Sequence, residues 1–174
     1  ALCVVAKDRA GNWQLLSEAT QITWLKDTVP PGAFTIDAPS TAISDSTPQV
    51  SWSASVSAAT YTLKLGTDNE CLNKVTETTG ITSTSSDSEP VSDGTYYICV
   101  AALDAAGNAI SATNSGVPIT IDTTGPGDFT IIAPEVVDNA TQVDADWTAA
   151  TEAETYDLYL DDEPNCPSPL QSYE

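Results

Sequence analysis

Apolar and polar residues alternate along much of this chain. The segment AFTIDA puts Phe34 and Ile36 on one face, and PQVSWSA puts Val50 and Trp52 on one face. TYTLKLG sends Tyr61, Leu63 and Leu65 one way while Thr62 and Lys64 point the other. A period of two marks strands buried on one side. TYYICVAAL is apolar on both faces, as expected of a central strand. Clusters of Pro, Gly, Asp, Asn and Ser separate these runs, and no stretch of a dozen residues repeats at 3.6. The Ser/Thr-rich segment GITSTSSDSEP, residues 80–90, falls where the chain must cross between sheets and reads as a loop or a weak edge strand. Together these elements predict an all-β sandwich of about seven strands.

The pattern is also copied. DTVPPGAFTIDAP, beginning at Asp27, returns as DTTGPGDFTIIAP at Asp122, 95 positions on. The same offset carries Trp52 to Trp147, Tyr61 to Tyr156 and Cys71 to Cys166. CVVAKDRAGN at Cys3 returns as CVAALDAAGN at Cys99 with an offset of 96, so one residue is inserted between the two groups of matches. Matches at nearly one spacing signal a repeat. Residues 1–28 then read as closing strands of a preceding repeat, 29–122 as a complete repeat, and 123–174 as opening strands of a following one.

Composition narrows the setting. There are 25 acidic groups against five basic ones and no His, for a net charge of -20. Such a chain repels nucleic acid and anionic membrane surfaces, so neither nucleic-acid binding nor membrane insertion is expected. Residues 123–174 hold twelve of the acids and no Lys or Arg. Four Cys without a Cys-x-x-Cys pair indicate disulfides and an oxidising compartment. No stretch approaches the ~20 apolar residues of a membrane span. With no signal peptide and no Met, the sequence reads as an internal piece of a secreted or cell-surface protein.

Trp52, Tyr61 and the stretch DGTYYICVAALDAAGN, residues 93–108, resemble the fibronectin type III-like modules of bacterial surface proteins. In that family a late strand reads Tyr-x-Val-x-Val-x-Ala followed by Asp-x-x-Gly-Asn. Tyr96, Ile98, Val100 and Ala102, then Asp104, Gly107 and Asn108, meet that pattern here. DTVPPG and DTTGPG look like the linkers between tandem immunoglobulin-like repeats of adhesins. The resemblance implies tandem immunoglobulin-like β-sandwiches of about 95 residues. It also places the strand before Cys71 beside the late strand. If Tyr96, Ile98, Val100 and Ala102 face the core, Cys99 points outward, and a Cys71–Cys99 disulfide across the outside of the sheet is implied. A reactive thiol is the other reading of these cysteines. Cys3 and Cys166, their repeat equivalents, would pair outside their own fragments or between chains.

Two further groups carry chemistry. In DRAGN and DAAGN, Asp starts a hairpin turn, Gly takes the left-handed position and Asn closes it, which accounts for every residue. The alternative is calcium at repeat junctions, with oxygen ligands from Asp104, Asn108 and Asp122, and from Asp8, Asn12 and Asp27 one repeat earlier. Calcium takes six to eight oxygens, and these segments offer few at fixed spacing. Trp13 and Trp24 lie in the closing hairpin of the first fragment, and the aligned stretch of the second repeat has no Trp. Exposed, they would stack on sugar rings; otherwise at least one packs on a neighbouring strand or module. The acids of LDDEPN, residues 160–165, suggest a glycosidase pair but read more simply as a solvated turn. Asn139 opens NAT, an N-glycosylation sequon in form. No His and no nucleophile motif are present, so no enzyme is expected.

Two functions follow as expectations. The first is the structural repeat region of a surface adhesin or extracellular fibre, a disulfide-stabilised rod presenting a distal tip. Its partners would be neighbouring repeats, copies of itself head to tail, or a host or surface glycan or protein. The second is a carbohydrate-binding or spacer module of a secreted polysaccharide-degrading enzyme. Either way, each terminal fragment needs completion by material outside these 174 residues, from a continuing polypeptide or from strand exchange between chains.

Overall fold

The structure, a computed structural model, describes residues 1–39, 42–133, 145–160 and 171–173. Strands dominate these residues, with one short 3-10 turn at Leu16–Glu18. The fold is all-β. The chain divides into two compact units, Ala1–Asp122 and Thr123–Glu174.

The first unit opens with an antiparallel hairpin of β1 (Leu2–Val4) and β2 (Thr20–Ile22), in which Leu2 faces Ile22. An isolated bridge between Lys7 and Trp13 continues its pairing. Nine strands follow: β3 (Ile36–Ala38), β4 (Ala42–Ile43), β5 (Gln49–Trp52), β6 (Thr60–Gly66), β7 (Lys74–Ile81), β8 (Ser85–Asp87), β9 (Gly94–Leu103), β10 (Ala109–Ser111) and β11 (Val117–Ile121). The expected count was about seven; β4 and β10 are the short additions, each held only along one edge. One sheet has the order β3-β5-β8, and the other β4-β11-β9-β6-β7 with β10 also paired to β9. The 80–90 segment finishes β7 and makes β8, so it carries the crossover and ends on the edge of the smaller sheet.

The two sheets share one core. Phe34, Ile36, Val50 and Trp52 from the smaller sheet meet Tyr61, Leu63, Leu65, Ile98, Val100 and Ile119 from the larger, all buried. The alternation on β5 and β6 is therefore the inside–outside alternation of half-buried strands. β9 is apolar on both sides because β6 and β11 flank it and the disulfide half-cystine Cys99 covers part of its outer face. Two tyrosines tie strand to loop. The Tyr96 hydroxyl donates to the Ser92 carbonyl at 2.9 Å, and the Tyr61 hydroxyl accepts from the Ser55 N–H at 2.8 Å. Tyr61 also packs edge-on against Phe34 and tilted against Trp52.

The second unit contains β12 (Ile131–Ala133), β13 (Asp146–Trp147), β14 (Leu158–Leu160) and β15 (Gln171–Tyr173). Its pairings repeat those of residues 29–122 at the 95-residue offset. Ile131 faces Trp147 as Ile36 faces Trp52, with the same irregularity before Ala133 as before Ala38. Leu158 faces Tyr173 as Leu63 faces Thr78. The Tyr156 hydroxyl accepts from Ala150 N–H at 2.7 Å, as Tyr61 does from Ser55, and Phe129, Trp147 and Tyr156 reproduce the aromatic cluster of Phe34, Trp52 and Tyr61. Even the positive φ of Ser57 recurs, at Glu152. The opening hairpin repeats the end of 29–122 likewise. Leu2 faces Ile22 as Ile98 faces Val117, and Lys7 faces Trp13 as Leu103 faces Ala109. The inserted residue therefore lies in the loop between β1 and β2, where it leaves the pairing intact.

Candidate functional site

The Cys71–Cys99 disulfide is formed, with the two Cα atoms 6.3 Å apart. Cys99 sits on β9 opposite Lys64 of β6, and Cys71 lies in the loop joining β6 to β7. That loop is organised by Asp68, whose carboxylate accepts backbone N–H groups from Glu70, Leu72 and Asn73, the last at 2.7 Å. These bonds, led by that from Asn73, hold the Asp68 carboxyl below its ordinary pKa. Cys71 itself has φ 50, a left-handed conformation unusual for a non-glycine residue. Two glycines allow the close packing here. A Cβ on Gly66 would lie 2.8 Å from Cys71 Cα, and one on Gly116, whose φ is +87, would lie 2.2 Å from the Asn69 carbonyl oxygen. The role of Gly116 is not legible as a motif, because the loop it touches, at Asn69, is distant in sequence. Beside them on the outer face, Glu77 pairs with Lys64 at 3.4 Å and with Lys74.

Four of the calcium candidates, Asp104, Asn108, Asp8 and Asn12, lie in two like turns. Asp104 accepts from Ala106 N–H at 2.8 Å and Asn108 N–H at 2.9 Å, and its other oxygen accepts from the Asn108 side-chain amide at 2.8 Å. Asp8 and Asn12 repeat the arrangement, at 2.8 Å to the backbone and 2.9 Å to the amide. The Asn side chain and then the backbone N–H groups lower both carboxyl pKa values. Gly107 and Gly11 take φ +88 and +97, the positive values the turn requires. Asp27 accepts from Val29 N–H at 3.0 Å, and the Asp122 N–H donates to the Ile43 carbonyl. Among the described residues, no three His, Cys, Asp or Glu side chains converge in a group able to hold a metal ion.

Trp13 and Trp24 are both exposed. Among the described residues no second sheet covers the β1–β2 hairpin that these tryptophans flank. Trp13 instead lies under the Lys7 ammonium, 5.1 Å from the ring centroid.

An apolar groove of about 360 Å³ lies in the second unit, framed by Phe129, Ile131, Ala145, Trp147, Tyr156 and Leu158. Phe129 is 50% exposed and Ile131 69%, whereas their equivalents Phe34 and Ile36 are 3% and 6% exposed. The hairpin shows the reverse side of the same contrast. Leu2 and Val4 are 59% and 60% exposed, while the equivalent Ile98 and Val100 are fully buried. Alignment of the two copies was the signal that could have found these residues.

No family model, curated protein or solved structure matches the chain.

Among the described residues Cys3 is exposed and forms no disulfide. Cys166, Asn139 and the acids at 161–163 lie outside the described residues. Among the described residues no helix is long and apolar enough to cross a membrane.

Proposed function

We propose that this chain is part of the structural repeat region of an extracellular adhesin or fibre, in which immunoglobulin-like sandwiches of about 95 residues follow one another in series. The observation that carries this reading is the recurrence of one hydrogen-bond register and one aromatic cluster at a fixed offset. Such copying serves length and stiffness, not a single reacting centre. The three-stranded and larger sheets, and the Tyr96 hydroxyl tied back to Ser92 at the start of β9, support the immunoglobulin-like assignment. The Cys71–Cys99 bond supports an oxidising, extracellular location. Short Pro-containing linkers restrict bending at Pro30 and Pro31, and the net charge of -20 discourages lateral association.

Single-molecule stretching of the chain from its two ends tests the mechanical role. Residues 29–122 should unfold in one distinct force step. The disulfide shields the 28-residue separation between Cys71 and Cys99 from extension. At ~3.5 Å per residue, reduction should lengthen the step by ~100 Å. Extension without a force peak would refute the role.

The exposure of Trp13 and Trp24 favours a second reading, a glycan-contacting module of a secreted polysaccharide-degrading enzyme. Glycan-array binding that is lost in Trp24→Ala would establish it in place of the rod.

A further inference from the structure

The chain enters residues 29–122 and the second unit through matching segments, DTVPPG and DTTGPG, and one contact seats both. The Gly32 N–H donates to the Val56 carbonyl at 2.8 Å, in the loop joining β5 to β6. The Gly127 N–H donates to the Thr151 carbonyl at 3.0 Å, in the loop joining β13 to β14. Each loop is braced by a tyrosine, Tyr61 or Tyr156, whose hydroxyl accepts one of its backbone N–H groups. The approach is close at both glycines. A Cβ on Gly32 would lie 3.3 Å from Val56 Cβ, and one on Gly127 would lie 2.2 Å from Thr151 Oγ1.

Around this shared contact the two copies differ in two residues that bear on stiffness. Ser55 is buried and donates its hydroxyl to the Gly32 carbonyl, so both backbone groups of Gly32 are held. Its counterpart is Ala150, which has no hydroxyl to give to Gly127. Pro30 stands where the second segment has Gly125. The proline ring fixes its own φ and keeps Val29 extended, whereas glycine restores backbone freedom at that position. Position 30 is exposed in the first copy, so the ring acts on the backbone and not by filling the core. The DAAGN turn adds a further hold on the first segment. The Asn108 amide, anchored to Asp104 at 2.8 Å, also donates to the Val29 carbonyl at 3.5 Å.

We propose that the two segments are joints of different stiffness: residues 27–32 form a fixed joint, and residues 122–127 form a hinge. The first is held at the Val29 carbonyl and at both backbone groups of Gly32, with the proline ring between these points. The second keeps its seat at Gly127 and turns about Gly125. Sequence pairs set the difference: Pro30 against Gly125, and Ser55 against Ala150. The DAAGN turn thereby acquires a role in holding the incoming chain. The inference concerns these segments alone and stands whether or not the parent protein is a rod.

Backbone nitrogen relaxation of the full chain tests it. The Val29 amide should show an order parameter of ~0.85 and the Thr124 amide one below ~0.6. Gly127 should stay as ordered as Val29, which places the motion at Gly125 and not in the whole second unit. Exchanging the paired residues tests the cause. Pro30→Gly with Ser55→Ala should bring Val29 down to the Thr124 value, and Gly125→Pro with Ala150→Ser should raise Thr124 to the Val29 value. Unchanged order parameters along β5, β6 and β9 verify that the first variant is folded, and Pro30→Gly alone is the substitute if it is not. Equal order at Val29 and Thr124 in the native chain overturns the proposal. So does a Gly127 as mobile as Thr124, or an exchange that moves neither amide. A chain that extends without a force peak refutes the mechanical role and leaves this inference intact, because relaxation is read at zero load.

Discussion

Cutting the Cys71–Cys99 bond should cost most of the loop-closure entropy it removes from the unfolded chain. With the two cysteines 28 residues apart, the chain-entropy relation gives roughly 12 cal/mol/K, or about 3.6 kcal/mol at 25 °C. The structure indicates that this value should be approached. The loop around Cys71 is held independently by the three N–H bonds to Asp68 and by the close contact at Gly66, so it can keep its shape when the bond is cut. The difference then falls on the unfolded ensemble. In urea, followed by circular dichroism, the midpoint for Cys71→Ala/Cys99→Ala should drop by ~1–3.5 M, taking ordinary denaturant slopes for a small domain. Reduction of the native protein should shift it equally. Because Cys71 has φ 50, Cys71→Gly/Cys99→Ala should recover ~1 kcal/mol over the double alanine variant. A loss under ~1 kcal/mol on reduction would refute the reasoning, showing that loop closure is not what the bond contributes.

Gly116→Ala should destabilise by more than ~2 kcal/mol, since it adds a clash with the Asn69 carbonyl to a positive φ. Gly107→Ala has a similar φ but meets nothing within 4 Å, so it should cost only ~1 kcal/mol; equal losses in thermal melts would remove the clash from the account. Tyr61→Phe leaves the Ser55 N–H without its buried acceptor and should cost ~1–3 kcal/mol by chemical denaturation, whereas a change within error would show the N–H finds another partner. The Asp104 carboxyl has its folded pKa below the ordinary 3.8, so its contribution is full above that value and is lost as pH falls through the folded pKa. The stability gap between native protein and Asp104→Asn should therefore be constant above pH ~5 and shrink below ~4; a gap that widens on acidification would reverse the assignment.

Local pattern alone determined the strands that carry the core. Phe34, Val50, Trp52, Leu63 and Ile98 announce their buried face because solvent lies on one side and packed side chains on the other. The turn around Asp104 and Asn108 was equally legible, since its hydrogen bonds span four residues or fewer. β7 was not: at the sheet edge it reads KVTETTGI, almost wholly solvated, and carries no alternation to detect. The disulfide partnership rested on resemblance until β6 and β9 were paired. Tertiary structure alone decided that Gly116 must lack a side chain, because the carbonyl it would strike belongs to Asn69, 47 positions earlier. It also decided that Leu2, Val4, Phe129 and Ile131 stand exposed where their copies are buried. Sequence sets which face of a strand is apolar, but whether that face is covered depends on a second sheet, and only packing supplies it.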